Sequence, residues 1–341
     1  MLDIDTSTID FLVTDTMADE ADQLLATGLA QVDAVFASLG DRRVERVVFV
    51  ACGSPLCACE TAAMLLTQYS TVPCLTTSGW DFLDRTPAGL DETTLVVGVS
   101  DSGNTEEVAK SLVAARAAGA VTVAVTKDAT GNLVADAAEH VVAYGGSAIW
   151  VMHCLIGYAI AIAVIDSHGG HPEIDGLRAD LPRLPGVLRR LVAEQEGPAK
   201  ERAARAVAWP FVYTVAGGNL VPLGYKEGII TMLEFTWTHG AALNASEFRH
   251  GPLEVVEQGV PYVFLLGTDG SRHTTQRCID FVTKLTDDVL VFDAAELETG
   301  LHPALDPIAL FVPLEYFYLH LSLAKDHNPD DRRYYGGLVA Y

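Results

Sequence analysis

A glutamate in the C-terminal half of the chain has the type and spacing expected of a proton-transfer residue. Ile230, Leu233, Glu234 and Trp237 fall at positions i, i+3, i+4 and i+7, which share one face of a helix. A carboxylate among apolar neighbours is costly when charged, so the pattern predicts a buried or cavity-lining Glu234 with the raised pKa of a general base. The alternative is a core carboxylate paired with a cation, although Lys226, about two turns away, is not at contact spacing on a helix.

A histidine follows this glutamate by sixteen positions. His250 lies in the run Glu-Phe-Arg-His-Gly-Pro, and Gly-Pro ends regular structure, which predicts a loop. If His250 lies close to Glu234 in the fold, it supplies the acid that matches the base; a surface loop histidine is the alternative. Three other histidines stand among apolar residues and are predicted to lie in the core: His153, His239 and His320.

A run rich in hydroxyls, residues 100–105, lies between a predicted strand and a predicted helix. Three hydroxyls, a glycine and the free N–H groups of a helix start can hold a phosphate, because the backbone donors and the helix dipole attract an anion. The candidate ligands are Ser100, Asp101, Ser102, Asn104 and Thr105. The alternative is a helix capped by Asn104 or Ser102, with Glu106 and Glu107 in its first turn.

A second turn of the same kind is Cys52-Gly53-Ser54-Pro55. Gly53 lets the backbone approach a ligand closely, and Pro55 suits the start of a helix. Gly53 and Ser54 are therefore candidate ligands, and an ordinary strand-to-helix turn explains the motif equally well.

The C-terminal run from Lys325 to Gly337 pairs two arginines with two tyrosines beside two glycines. Arg333 and Tyr334 are predicted to close over a site and to offer donors to a carboxylate or phosphate. A tail that docks on a partner subunit is the alternative.

Strand and helix patterns alternate along the chain, which predicts an α/β protein with parallel sheets covered by helices. The predicted strands are 47–51, 95–99, 121–126, 141–144, 211–216, 262–266 and 289–292, and the predicted helices between them include 55–69, 105–118 and 274–284. Ligands of open α/β sheets bind beyond the carboxyl ends of the strands, so the loops at 52–55 and 100–105 are expected at one edge.

The pattern repeats with an offset of about 165 residues, which matches Gly53 to Gly217 and Ser100 to Thr268. Two copies of one α/β unit therefore account for 341 residues. The Gly- and Pro-rich segment between them is the predicted linker. The predicted organisation is an N-terminal domain over 1–170 with the phosphate loop, a linker over 171–185, and a C-terminal domain with the tail over 186–341.

A net charge of −23 argues against nucleic acid or an anionic membrane as a partner. The start of the chain lacks the pattern of a signal peptide, and the apolar run 149–165 is shorter than a bilayer span and is predicted to be a buried helix. The six cysteines form no C-x-x-C pair and no metal-ligand spacing. These features predict a cytoplasmic protein without a metal site.

Taken together, the motifs resemble the double sugar isomerase (SIS) family. Its marks are strand–Cys-Gly-Ser, strand–Ser-x-Ser-Gly-x-Thr–helix and a glutamate sixteen residues before the histidine of His-Gly-Pro. The runs VACGSPL, GYKEGI, EFTWTHG, EFRHGPLE and KDHNPDDRRYYGGLV are similar to the fructoselysine 6-phosphate deglycases over nearly the whole chain. The isomerase half of glucosamine-6-phosphate synthase is a related member.

This resemblance implies two flavodoxin-like parallel-sheet SIS domains and a homodimer or larger assembly. It also implies that water splits a phosphorylated sugar–amine adduct into glucose 6-phosphate and a free amine, with no cofactor. Ser100, Ser102 and Thr105 fall on the family's phosphate-loop positions, Glu234 on its proton-transfer glutamate, and His250 on its ring-opening histidine, in a loop that crosses into a neighbouring subunit's site.

The chain departs from the family pattern at three positions. Ser102 stands where the deglycases are associated with an aromatic residue, and Asn104 where they are associated with a lysine. Gly337 falls where the synthase has a lysine.

Two rivals share this scaffold or its ligand. An aldose–ketose isomerase or aminosugar-phosphate deaminase would use the same enol step, and a non-catalytic phosphosugar sensor would use only the binding loop. Such sensors usually carry a basic helix-turn-helix, and the sequence contains none.

Overall fold

The computed structural model describes residue 4 and residues 8–334, so the end of the predicted tail, from residue 335, lies outside the described residues. The contacts divide the chain into two compact units. The N-terminal unit is Thr16–Gly186, and the C-terminal unit combines Met1–Asp15 with Val187–Tyr341.

Each unit contains one parallel sheet, and both sheets follow the same strand order. The N-terminal sheet has the order β2-β1-β3-β4-β5 and the C-terminal sheet the order β7-β6-β8-β9. The first is the flavodoxin-like order, and the second repeats it without a fifth strand. The α/β fold class and the internal repeat are therefore confirmed. The strands are β1 Arg46–Ala51, β2 Cys74–Thr77, β3 Thr94–Ser100, β4 Val121–Thr126, β5 His140–Ala143, β6 Phe211–Ala216, β7 His239–Asn244, β8 Tyr262–Leu266 and β9 Val289–Asp293.

Helices cover the sheets and connect successive strands, as parallel pairing requires. They are α1 Met17–Gln23, α2 Ala30–Ser38, α3 Ser54–Tyr69, α4 Gly79–Asp84, α5 Glu106–Ala117, α6 Leu133–Ala137, α7 Ile149–Ser167, α8 Pro172–Asp180, α9 Leu184–Glu194, α10 Glu196–Ala206, α11 Val221–Tyr225, α12 Met232–Thr236, α13 Arg272–Val282 and α14 Asp306–Ala324. Two π-helical segments, Leu24–Gly28 and Lys226–Thr231, precede α2 and α12. Short 3-10 helices are Leu181–Arg183, Gly218–Leu220, Pro252–Val255, Ala294–Leu297 and Pro303–Leu305.

The central strands of the N-terminal unit are apolar because helices bury both faces of the sheet. Every residue of β3 and β4 is buried. Helix α7 packs on α3 at a point of small residues, where a Cβ added to Gly157 would lie 2.9 Å from the Cβ of Ala62. This contact explains the apolar run 149–165, which is a core helix of the unit as predicted.

Two helices, Ile149–Ser167 and Pro303–Ala324, are long and apolar enough by composition to cross a membrane. Both are mostly buried inside the protein, at 72% and 78% of the apolar window. Burial of this kind is what the core helix of a globular unit requires, so their composition needs no membrane to explain it.

The units divide the chain differently from the sequence-based boundaries at two places. The first described residues join the C-terminal unit, where the ring of Phe11 contacts that of Tyr316 at 5.3 Å between centroids. The amide of Asp10 also donates to the carboxylate of Asp330 at 2.9 Å. The segment 171–185, predicted as a linker, contains α8 and the start of α9. A proline at the start of each helix explains why this Pro-rich segment is helical.

Candidate active site

The hydroxyl-rich loop and the Cys-Gly-Ser turn lie at the same edge of the N-terminal sheet. Strands β1 and β3 are parallel neighbours that pair Ala51 with Val99, and their carboxyl ends lead directly into the two loops. β2 continues the sheet on one side and β4 on the other, so this edge is where the strand order reverses. Open α/β sheets bind their ligands at such a point, and the predicted placement of the two loops is confirmed.

Close contacts fix the shape of residues 100–105. The hydroxyls of Ser100 and Thr105 lie 2.8 Å apart and close the loop at its base. Gly103 has φ +66°, and a Cβ there would lie 2.2 Å from the side chain of Asn132. Its carbonyl accepts from the amide of Val134 at 2.8 Å. Only glycine satisfies both the backbone angle and the contact, so the position serves the shape of the loop.

The first turn of α5 is not capped by the side chains that the alternative interpretation named. Thr105 is the N-cap residue, and no side chain caps it. Asn104 instead donates from its side chain to the carbonyl of Ser102 at 3.0 Å. Glu106 forms an ion pair with Lys110 at 2.5 Å. The helix start therefore keeps N–H groups that can donate hydrogen bonds to an anion. Of the two first-turn carboxylates, that of Glu106 is paired with a lysine of the same helix.

The carboxylate of Asp101 is engaged inside the protein. It accepts a hydrogen bond from the hydroxyl of Tyr144 at 2.5 Å, and that hydroxyl lies 3.0 Å from Nε2 of His153. Burial lowers the pKa of His153 to about 3, so the ring is neutral. The prediction that His153 is a core histidine is confirmed. The side chain of Asp101 therefore holds the loop to Tyr144 through this hydrogen bond.

The second turn begins a long helix with an unusual backbone. Gly53 has φ 65° and ψ −138°, a conformation that glycine adopts without strain, and α3 starts at Ser54 without a side-chain cap. The thiol of Cys52 donates to the carboxylate of Glu107 at 3.3 Å. Burial, more than this carboxylate, raises the pKa of Cys52 to about 11. The thiol therefore stays protonated and links the two loops at their base.

The equivalent edge of the C-terminal sheet is occupied by the protein's own carboxylate. Asp269, in the loop after β8, accepts from the amide of Asn219 at 2.9 Å and from the amide of Ser271 at 2.8 Å. These are the donors that an anion would use at such an edge. Thr268, the counterpart of Ser100, donates to Asp306. Of the two equivalent loops that the structure describes, the one at residues 100–105 therefore keeps its hydroxyl-rich edge free of an internal carboxylate ligand of this kind.

Glu234 is half-exposed and lines a groove, so the structure has the second of the two predicted placements, buried or cavity-lining. Its side chain retains 49% of its exposure, and Oε2 lies 3.9 Å from the guanidinium of Arg332. Leu233 and Trp237 on the same predicted face are also exposed. Helix α12 ends at Thr236, and Trp237 leaves it in a left-handed conformation at φ 49°. Apolar periodicity cannot distinguish a face that packs on a core from one that lines a groove.

Glu234 lines a groove of about 460 Å³, which we call the Glu234 groove. Its wall is formed by Leu233, Glu234, Trp237, Thr238, His239, Arg332, Arg333 and Tyr334. The tail therefore lies beside Glu234, and the guanidinium of Arg333 stacks on the ring of Trp237 at 4.0 Å. His239 is exposed in this groove, so its prediction as a core histidine is wrong; exposure at a sheet edge leaves no mark in the local sequence.

His250 lies at the other end of strand β7 from Glu234. The strand runs parallel to β6 and pairs His239 with Phe211 and Asn244 with Ala216. Glu234 precedes its amino end, whereas His250 is an exposed loop residue beyond its carboxyl end. Six extended residues span roughly 16 Å. That the two residues meet in the fold therefore stays a prediction, and strand β7, which lies between them in the chain, was missed.

His320 is largely covered by its surroundings, and its ring lies 3.1 Å from the carboxylate of Glu196. Burial lowers the pKa of His320 more than this carboxylate raises it. His320 is half-buried, so its prediction as a core histidine holds only in part, and its partner Glu196 was not predicted.

The comparisons with known proteins identify the family. A model of the SIS domain matches residues 42–155. Over 341 residues the chain is 49% identical to the fructoselysine 6-phosphate deglycase of Escherichia coli strain K12, and the match covers 100% of both chains. The chain belongs to the fructoselysine 6-phosphate deglycase family of SIS enzymes. The resemblance read from the motifs is confirmed.

Solved structures agree with this deglycase fold. A candidate phosphosugar isomerase from Bacillus subtilis matches with a TM-score of 0.84 and 27% identity, covering 93% of this chain and 100% of that one. The C-terminal domain of glucosamine-fructose-6-phosphate aminotransferase from Francisella tularensis matches with a TM-score of 0.77 and 16% identity, covering 93% and 96%. The second similarity shows the fold alone.

Proposed function

We propose that this chain hydrolyses fructoselysine 6-phosphate, or a similar 6-phosphorylated Amadori adduct, to glucose 6-phosphate and the free amine. The full-length 49% identity to a fructoselysine 6-phosphate deglycase carries this proposal. The open loop at residues 100–105, whose partners hold it in shape, supports binding of the 6-phosphate. The groove beside Glu234 supports the proton-transfer step.

The proposed chemistry reverses the Amadori rearrangement. His250 helps to open the sugar ring by acid–base transfer. Glu234 removes a proton from C1, the electron pair forms a C1–C2 double bond, and the C2 carbonyl oxygen gains a proton to give an enaminol. A proton added at C2 then gives an imine at C1. Water adds to C1, and the amine leaves with a proton.

The phosphate contacts in this proposal come from Ser100, Ser102 and Thr105, with Gly53, Ser54 and Asn104 around them. No lysine stands at the position of Asn104, so the anion depends on hydroxyls, backbone N–H groups and the helix dipole. The substrate's own nitrogen stabilises the enaminol, which is why the proposed mechanism needs no cofactor.

The proposed assembly is a cytoplasmic homodimer or larger homo-oligomer without a nucleic-acid or membrane partner. The six residues of β7 lie in the chain between the helix that carries Glu234 and the loop that carries His250. Because both residues act on one sugar, the proposed site takes its histidine from a neighbouring subunit.

The direct test is to incubate the purified protein with fructoselysine 6-phosphate and to follow glucose 6-phosphate with a coupled dehydrogenase. We expect turnover with release of free lysine. Glu234→Gln should lower the rate by at least about 100-fold, since the amide cannot accept the C1 proton. The exposed Glu257→Gln is the matched control and should retain the wild-type rate.

Release of ammonia or of a ketose phosphate without lysine would replace this proposal with the deaminase or isomerase function. A near-normal rate in Glu234→Gln would remove Glu234 from the mechanism. Phosphosugar binding without any turnover would favour the sensor.

A further inference from the structure

The Glu234 groove starts at the carboxylate that acts on C1 in the proposed function. The nitrogen of the adduct is bonded to that same carbon. The substituent on the nitrogen must therefore begin within a few bond lengths of Glu234. The groove, about 460 Å³ in volume, lies in the size range of small-molecule sites, and it is the space that the described C-terminal unit offers beside this carboxylate.

The walls of the groove suit an aliphatic chain. Leu233, Trp237 and Tyr334 are all exposed there, with 40%, 37% and 67% of their surfaces accessible. A cluster of exposed large apolar side chains on a folded unit indicates a binding surface. The ring of Trp237 packs on that of His327, with 3.9 Å between centroids and a tilt of 39° between the planes.

The two arginines of the groove have different partners. Arg332 lies 3.9 Å from the carboxylate of Glu234. Arg333 stacks on Trp237 and forms no ion pair with the residues that the structure describes. A guanidinium stacked on an aromatic face keeps its N–H donors free at the edge, in the geometry that binds a carboxylate through two hydrogen bonds.

We infer that the Glu234 groove binds the amine portion of the substrate, and that Arg333 selects amines that carry a carboxylate. This inference rests on the proposed function. The apolar wall receives the methylene chain, and the free guanidinium receives the negative charge beyond it. Selectivity follows because a carboxylate-free amine would leave the guanidinium without its partner.

The test compares two substrates that differ only at the carboxylate: fructoselysine 6-phosphate and the matching adduct of lysinamide. With the wild type, we expect kcat/KM to be about 10- to 100-fold lower for the amide, since hydrogen bonds to charged groups have this magnitude. Arg333→Gln should lower kcat/KM for the lysine adduct by the same factor, mainly through KM, and should leave the amide adduct unchanged. Arg178→Gln, an exposed arginine of the N-terminal unit, is the control.

Equal use of both adducts by the wild type would overturn the inference and leave the proposed function standing. A loss in Arg333→Gln that is the same for both adducts would also overturn it, as expected if a second copy of the chain covers the groove. If neither adduct yields glucose 6-phosphate, the proposed function fails and the inference fails with it.

Discussion

The hydroxyl of Tyr144 links Asp101, in the proposed phosphate loop, to His153 through two hydrogen bonds of fixed direction. Tyr144 has a single hydroxyl proton, which it donates to Asp101 at 2.5 Å. Its oxygen must therefore accept from Nε2 of His153, which assigns the proton of the neutral ring to Nε2. Asp101 thus joins the loop to a buried histidine, so its carboxylate is already engaged and is compatible with the proposed binding of an anion by this loop.

The burial of His153 predicts acid sensitivity of the N-terminal unit. Burial lowers the pKa of His153 from 6.5 to about 3, so the unfolded chain binds the proton more readily than the folded one between these values. The free energy of unfolding should therefore fall as the pH is lowered through this window. His153 alone should contribute a loss of about 2 kcal/mol at pH 5 relative to pH 7.

Urea denaturation of the wild type and of His153→Gln at pH 7 and pH 5 measures this contribution. Carboxyl groups titrate in both proteins, so the difference between their two losses isolates His153. Tyr144→Phe keeps the histidine buried and should lose as much stability on acidification as the wild type does. If His153→Gln loses as much stability between pH 7 and pH 5 as the wild type does, His153 is not the source of the acid sensitivity.

At the scale of elements, the segment that carries Glu234 is held by a buried charge cluster. The π-helix Lys226–Thr231 leads into α12, and π-helical turns are frequent at functional sites. Lys226, Glu227 and Glu315 are fully buried, and the ammonium of Lys226 donates to both carboxylates and to Thr231. Burial raises the pKa of Glu227 to about 8, more than the nearby ammonium lowers it.

Removing the cation from this cluster should destabilise the C-terminal unit strongly. Lys226→Met leaves two carboxyl groups in a dry interior without their partner, which costs about 3–5 kcal/mol of unfolding free energy. The exposed Lys284→Met is the matched control and should stay within about 0.5 kcal/mol of the wild type. Urea denaturation at pH 7 measures both.

A triple variant tests the cause of this loss. Lys226→Met combined with Glu227→Gln and Glu315→Gln removes the uncompensated carboxyl groups and should recover most of the loss. A loss as small as that of Lys284→Met would mean that the cluster contributes little to stability. An unrecovered loss in the triple variant would assign the effect to packing instead.

The same elements show what the sequence could predict. Strands β1, β3, β4, β6 and β8 are continuous apolar runs because both their faces are buried, and these strands were found within a residue or two. Of the four edge strands, β5 and β9 were predicted, whereas β2 and β7, which contain no fully buried residue, were missed. β7 also contains Gly240, where an added Cβ would lie 2.3 Å from the carbonyl of Gly228. That close packing is a tertiary requirement with no local signal.

At the scale of the whole molecule, the two units share the same strand order, but their equivalent loops after β3 and β8 differ. Both sheets reverse their strand order at a comparable edge. One edge presents hydroxyls and free N–H groups, whereas Asp269 already accepts from the backbone at the other. The sequence predicted the repeat from its offset, but it could not predict this difference, since both loops contain an aspartate after the strand. Only the direction of each carboxylate separates them.

The position of β7 leads to the last prediction. Glu234 lies on the helix that packs beside the start of this strand, and His250 follows its carboxyl end, so each Glu234 should work with the histidine of another subunit. Glu234→Gln and His250→Asn should each be nearly inactive alone. When they are mixed and allowed to exchange subunits, half the dimers are mixed, and each of these has one site with both native residues. About a quarter of wild-type activity should then return, by the statistics of a two-fold dimer.

Activity measured before and after subunit exchange provides the internal control, because unmixed dimers cannot complement each other. Size-exclusion chromatography of the exchanged sample should show one species of dimer size or a larger closed assembly. If the activity stays at the level of the two separate variants although exchange is complete, the histidine must come from the same chain. The loop that carries His250 would then have to reach back along β7 to Glu234 during catalysis.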